Sequence, residues 1–189
     1  MQKLVTYFEK AGSENTAQCL DIVKKALADF NYKHIVVAST TGSTGRLLAE
    51  ALKGDNINFV VVTHSHGFKE PNTSEFSEAV KEKIIASGAK VYTGTMITHN
   101  LETALAKSFS GVYPTLLVAQ TLRRFGEGPK VCCEIVMMAA DAGLIPEGEE
   151  IIAVAGTGQG ADTVIIIRAA TSKRFLDLKV LEILAKPRG

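Results

Sequence analysis

The chain has 189 residues, 46% hydrophobic and 22% charged, with a formal net charge of +1; this is the ordinary composition of a soluble domain with one sizeable core. So even a balance leaves no electrostatic footprint for nucleic acid or an acidic membrane surface, and no apolar run reaches the roughly 18–20 residues that cross a bilayer. Three cysteines, with Cys132 and Cys133 adjacent and Cys19 apart, make a poor disulfide framework and point to a reduced, cytoplasmic protein.

The leading Met1-Gln2-Lys3-Leu4-Val5 turns polar by Glu9-Lys10, unlike a signal peptide. Leu4–Phe8 reads as a short strand. Ser13 or Asn15 is suited to cap a helix on which Ala17, Leu20, Val23, Leu27 and Phe30 recur at helical spacing. A strand at His34–Ala38 runs into Ser39-Thr40-Thr41-Gly42-Ser43-Thr44-Gly45, and a helical run from Arg46 ends near Gly54. Asn58–Thr63 is a strand whose apolar run is continuous rather than alternating, as in a strand buried on both faces. It exits into His64-Ser65-His66-Gly67-Phe68. Pro71–Ser74 opens a predicted helix with Phe76, Val80, Ile84 and Ile85 inward, and Lys90–Thr93 is a short third strand.

From Thr95 the pattern changes. Asn100 is placed to cap a helix carrying Leu101, Ala104, Leu105 and Phe109; Pro114 suits the first position of another, which Gly126 and Gly128-Pro129 break. A third, apolar helix runs from Lys130 to Ala142. Three helices without a strand read as a helical insertion at about 98–144, within one domain spanning 1–189. Ile151–Ala155 and Thr163–Arg168 are strands joined by Gly156-Thr157-Gly158-Gln159-Gly160. So short a link cannot hold a crossover helix, so this pair is antiparallel. Val180–Lys186 reads either as a last strand or as the end of a helix.

Parallel β-α-β units place their strand exits on one sheet edge, where ligands bind. Four exits converge there: Ser39–Gly45, His64–Phe68, Thr93–Asn100 and Gly156–Gly160. In the first, glycines permit close approach, hydroxyls donate, and a helix N-terminus presents unpaired N–H groups. This is an anion cradle, although a plain turn capped by Ser43 or Thr44 explains the same residues. It is not a Walker loop, since no Gly-Lys-Ser/Thr follows. The candidate ligand-contacting residues are therefore Ser39, Thr40, Thr41, Gly42, Ser43, Thr44 and Gly45, with Thr63, His64, His66 and Gly67, and Gly156, Thr157, Gly158, Gln159 and Gly160. His64 and His66 point the same way on extended chain, but two ligands do not make a metal site, and none is expected. Arg168 falls about 20 Å from the edge at roughly 3.3 Å per residue. Lys130, Glu134 and Asp141 share one helical stripe, read as a solvated face, and Cys132 and Cys133 as packing residues. No catalytic residue is assigned.

The run Val36–Gly45, the helix before it and the closing hairpin with its glycine turn resemble the C-terminal domain of pyruvate kinase. More closely, Glu14-Asn15-Thr16, Val36-Val37-Ala38-Ser39, Thr63 with Gly67-Phe68, Lys130-Val131-Cys132 with Glu134, Met138–Asp141, Gly160–Thr163 with Ile167-Arg168, and Pro187-Arg188 are similar to a mainly archaeal family of stand-alone proteins like that domain. The resemblance implies an α/β fold: a three-layer α/β/α sandwich on a mostly parallel five-stranded core sheet whose last strand is antiparallel. It implies a phosphate-bearing ligand resembling FMN, held in part by Ser39, Thr41, Gly42 and Thr44. Thr40 and Ser43 stand where pyruvate kinase often has basic residues, which argues against a sugar bisphosphate. The catalytic barrel of pyruvate kinase is absent, so the chain is not expected to make pyruvate. A flavin-dependent or phosphoester-processing enzyme, with His64, His66 or Glu134 titrating, is the alternative. A homo-oligomer built on the Val131–Ala142 helix is a further expectation.

Overall fold

The computed structural model describes residues 2–54 and 56–189; Met1, at the head of the leading segment, and Asp55 lie outside the described residues. Seven strands form one sheet: β1 (Thr6–Phe8), β2 (His34–Ala38), β3 (Asn58–Val62), β4 (Lys90–Tyr92), β5 (Glu150–Ala155), β6 (Thr163–Arg168) and β7 (Lys179–Pro187). Their order is β1-β7-β6-β5-β2-β3-β4. The β2–β5, β2–β3 and β3–β4 pairings are parallel, and β6 is antiparallel to both β5 and β7. β1 pairs parallel with β7. Among the described residues only β6 is reversed, so six strands end on one edge. The five-stranded core is as expected; β7 and β1 extend it beyond β6. Because β1 runs with the others, its exit joins the same edge too.

Strand residues alternate between two cores. Ile35, Val37, Phe59, Val61, Ile152, Val154, Val164 and Ile166 pack with Leu20 and Val23 of α1 (Thr16–Asp29), Leu48 of α2 (Ser43–Ala51) and Ile84 of α3 (Glu78–Ala86). On the other face Val36, Val60, Ile151, Ala153, Ile165 and Ile167 pack against Cys132, Ile135, Val136 and Ala139 of α6 (Glu127–Asp141). Helices on both faces give the three layers. Each fully buried Val or Ile contributes about 1.5–3 kcal/mol of transfer free energy.

α6 is thus a layer of the sandwich, with twelve of its fifteen residues buried. Its residues from Cys132 to Ala140 are therefore spent on packing against the sheet rather than on a free apolar face. The helix begins at Glu127 rather than Lys130. Gly126 separates it from the preceding helix, as expected, while Gly128 and Pro129 lie in its own first turn, where an N–H has no intrahelical partner to lose. α4 (Leu101–Phe109) and α5 (Pro114–Leu122) precede it. Asn100 caps α4 by accepting from the Glu102 N–H at 3.2 Å.

Other boundaries moved. α3 starts at Glu78, not after Pro71; Phe76 precedes it yet is buried, while Ile85 is exposed. Phe30 ends α1 and is exposed too. Asn15 precedes α1, but its side chain donates to Lys10 and Gly12 carbonyls instead of accepting from the helix.

Candidate functional site

A cavity of about 720 Å³ opens where the strands end, within the range of small-molecule sites. One wall is the β2–α2 loop. Ser39 is buried, and its Oγ accepts from the Gly45 N–H at 3.1 Å, folding the loop onto the first turn of α2. Gly42 is the N-cap residue, with φ 93°, a conformation costly for other residues. Neither Ser43 nor Thr44 caps the helix; both sit inside its first turn, because Gly42 makes the left-handed bend. Arg46 N–H is taken by the Gly42 carbonyl. The Ser43 and Thr44 amides donate to no protein acceptor among the described residues, and both residues line the cavity. A β-carbon on Gly45 would stand 2.6 Å from Val61 Cγ1. Gly42 and Gly45 therefore shape the wall without lining it.

The second wall is aromatic. His64 and Phe68 rings lie 4.3 Å apart, and Phe68 meets the His99 ring edge-on at 5.8 Å. His64 is held from both sides: Nδ1 is 2.9 Å from Glu75 Oε2 and Nε2 3.3 Å from Thr40 Oγ1. The buried Thr63 hydroxyl donates to the His64 carbonyl at 2.8 Å. His66 is exposed and, like Gly67, lies outside the cavity, because the chain turns after Ser65. The two histidines do not act together. No group of three or more metal-binding side chains occurs among the described residues.

The floor corrects the solvated reading of Glu134. Lys130 and Glu134 are almost fully buried, 1% and 3% exposed, and their charges meet at 2.7 Å. The Thr98 N–H and hydroxyl both donate to Glu134 Oε1 at 2.7 Å. Burial pushes the Glu134 carboxyl up, but the Lys130 charge and the hydrogen bonds from Lys130 and Thr98 outweigh it and hold the group below its usual range. The stripe of Lys130, Glu134 and Asp141 is real on the helix, yet only Asp141 reaches solvent. α6 turns Lys130 and Glu134 toward the cavity floor, where each neutralises the other.

The Thr98 hydroxyl proton is committed to Glu134. Its oxygen therefore accepts from His99 Nδ1, 3.1 Å away, which fixes that tautomer and leaves a lone pair on Nε2. Burial, then the Lys130 charge, pushes the His99 pKa down.

The third wall is the β5–β6 turn. Gly156, Gly158, Gln159 and Gly160 line the cavity, and Thr157 does not. The turn is strapped at its base. Asp162 Oδ2 accepts from Gly12 and Thr157 N–H groups at 3.0 Å each, and Thr16 Oγ1 accepts from Ala161 N–H at 2.9 Å. Ser13 and Thr16 thereby enter the lining. Arg168 is on the opposite edge, 3.9 Å from Glu150.

Sequence reading missed Ser13, Thr16, Glu75 and Met96 as lining residues and placed Lys130 on a solvated face; it named Glu134 only as a titrating group of the alternative enzyme. A parallel assignment for Leu4–Phe8 brings the Gly12-Ser13 exit to this edge; no local signal marks Glu75.

A family model described as pyruvate kinase, alpha/beta domain, matches residues 17–167. Among solved structures, a pyruvate kinase from Cryptosporidium parvum is 22% identical, over 85% of this chain and 24% of that one, with a TM-score of 0.42. The same organism's pyruvate kinase in complex with ADP is 21% identical, over 86% of this chain and 25% of that one, with a TM-score of 0.43. The chain thus spans about a quarter of the length of these enzymes.

Proposed function

From the premise that this chain belongs to the pyruvate kinase alpha/beta domain family, we propose that it binds a phosphate-bearing small molecule with a flat ring system, of which FMN is the model. The reading is carried by one observation. A single cavity joins the unpaired Ser43 and Thr44 amides, flanked by the Thr40 and Thr41 hydroxyls, to the His64–Phe68–His99 aromatic wall. The amides and the α2 dipole suit a phosphate; the dipole contributes about 0.3–2 kcal/mol. Aromatic faces suit a planar heterocycle. Lys130 and Arg123 line the same cavity, but Glu134 and Glu127 each hold one of them at 2.7 Å. The grip on the anion therefore rests mainly on neutral donors.

The test is mass spectrometry of the small molecule that copurifies, together with thermal shift. FMN at a hundred times its dissociation constant stabilises by about 2.7 kcal/mol and raises the melting temperature. If neither flavins nor phosphorylated sugars move the melting point, the reading fails.

A further inference from the structure

Glu75, His64 and Thr40 form a carboxylate–imidazole–hydroxyl chain on the cavity wall. The Nδ1 to carboxylate distance is 2.9 Å and the Nε2 to hydroxyl distance 3.3 Å. All three residues line the cavity beside the unpaired α2 amides. They come from three separate stretches: the β2 exit, the β3 exit and the segment before α3. Phe68, packed at 4.3 Å, limits rotation of the imidazole. The carboxylate can only accept, so in the neutral ring Nδ1 carries the proton and the Nε2 lone pair faces the Thr40 hydroxyl. This is the order of groups that activates a hydroxyl nucleophile, and such hydrogen bonds are often looser without substrate.

Building on the anion-site reading, we propose that Thr40 is the nucleophile of a phosphomonoester hydrolysis, with His64 as its base and Glu75 as the positioning residue. Thr40 Oγ1 forms a bond to the phosphorus held at the α2 amides, and His64 Nε2 takes the hydroxyl proton. The bond from phosphorus to the ester oxygen breaks, and His64 returns the proton to that oxygen, releasing an alcohol and leaving phosphothreonine. Water then attacks phosphorus, giving one proton to His64. The Thr40–phosphorus bond breaks, Thr40 regains its proton from His64, and orthophosphate leaves. The net reaction consumes one ester and one water. The amides meet the charge on the non-bridging oxygens, as preorganised donors do elsewhere.

The experiment uses the full chain with p-nitrophenyl phosphate. Released nitrophenolate is followed, and acid-quenched protein is mapped by peptide mass spectrometry. The expected result is a phosphoryl group on the peptide containing Thr40, present in Thr40→Ser and absent in Thr40→Val. His64→Gln slows its formation by about a hundredfold or more. Glu75→Ala slows it as well, and Glu75→Asp restores part of the rate, which a purely structural role for the carboxylate does not explain. Each variant is checked for folding by its melting curve and for anion binding by the shift that orthophosphate produces. Orthophosphate stabilisation without a Thr40 adduct, or nitrophenolate release unchanged in Thr40→Val, overturns the nucleophile and leaves the anion site standing. If neither orthophosphate nor p-nitrophenyl phosphate shifts the melting temperature, the site and the reaction fall together.

Discussion

Lys130 Nζ and Glu134 Oε2 meet at 2.7 Å, one helical turn apart, with side chains only 2% and 4% exposed. The pair joins α6 to Thr98 in the segment after β4, so it fixes the cavity floor. Removing one partner strands the other charge in the interior, at a cost of about 3–5 kcal/mol. Lys130→Met and Glu134→Leu are each expected to lower stability by that order in urea unfolding. The double variant is expected to lose clearly less than the sum, because it strands no charge.

The same carboxylate sets an acid limit. Its folded pKa lies below the 4.5 of an ordinary glutamate, so the unfolded chain takes up the proton first. The stabilisation is complete above about 4.5 and is lost as pH falls through the folded pKa. Glu134→Gln is expected to flatten the stability–pH curve in that window, measured by urea midpoints below pH 5.

His99 titrates in a higher window. Burial, and then Lys130 beside it, holds the ring below the ordinary value of 6.5. Here too the unfolded chain binds the proton first, so stability is full above 6.5 and declines as pH falls toward the folded pKa. An NMR titration of the His99 ring is expected to give a midpoint below 6.5. Lys130→Met is expected to raise that midpoint, since it removes a repelling charge while Glu134 remains. Arg123→Gln, removing a weaker repelling charge at the partly exposed rim, raises it less. A midpoint at or above 6.5 in the unsubstituted protein contradicts the placement of these charges.

What could be read from the sequence divides by range. The parallel strands, the β2–α2 loop and the reversal at Gly156–Gly160 were legible because each rests on a local signal: continuous apolar runs, glycines, and a loop too short to cross over. The position of Arg168 followed from strand length and direction. Lys130–Glu134 was misread because an i, i+4 charge pair looks the same on a solvated helix as on a buried one. Only the packing of α6 against the sheet separates the two cases. Glu75 and Ser13 were invisible for a related reason. Each reaches the site through a connection whose path depends on elements far away in sequence.

The cysteines are expected to be chemically silent in the folded state. Burial pushes the Cys133 thiol up to about 12. Burial and then Asp162 do the same to Cys19, and Cys132 is raised by burial and its neighbours. All three are buried and free. Thiolate is the reactive form, so iodoacetamide at pH 8 is expected to label none of them natively and all three in denaturant. Rapid native labelling of Cys132 or Cys133 contradicts the placement of α6 against the sheet.

Asp162 and Gly160 hold the turn over the cavity. Asp162 is fully buried and accepts from the Gly12 and Thr157 amides and from the Thr163 hydroxyl at 2.9 Å. Asp162→Ala leaves three donors without their acceptor and is expected to cost at least about 2 kcal/mol. At Gly160, φ is 73°, and an added β-carbon would stand 2.4 Å from Ser13 Cα, a backbone atom that cannot swing aside. Gly160→Ala therefore combines left-handed strain with a clash, about 2–4 kcal/mol together. The two changes meet at one contact, between the β5–β6 turn and the chain entering α1. Both are expected to speed hydrogen exchange at residues 156–161 and 10–16 together, while β2 and β3 amides stay protected. Gly158, at the open tip with nothing near its β-carbon position, is the comparison. Its φ of 77° still makes alanine costly, but Gly158→Ala is expected to leave exchange at 10–16 unchanged. Equal loosening of 10–16 by both glycine substitutions would show that the turn is not strapped through Gly160.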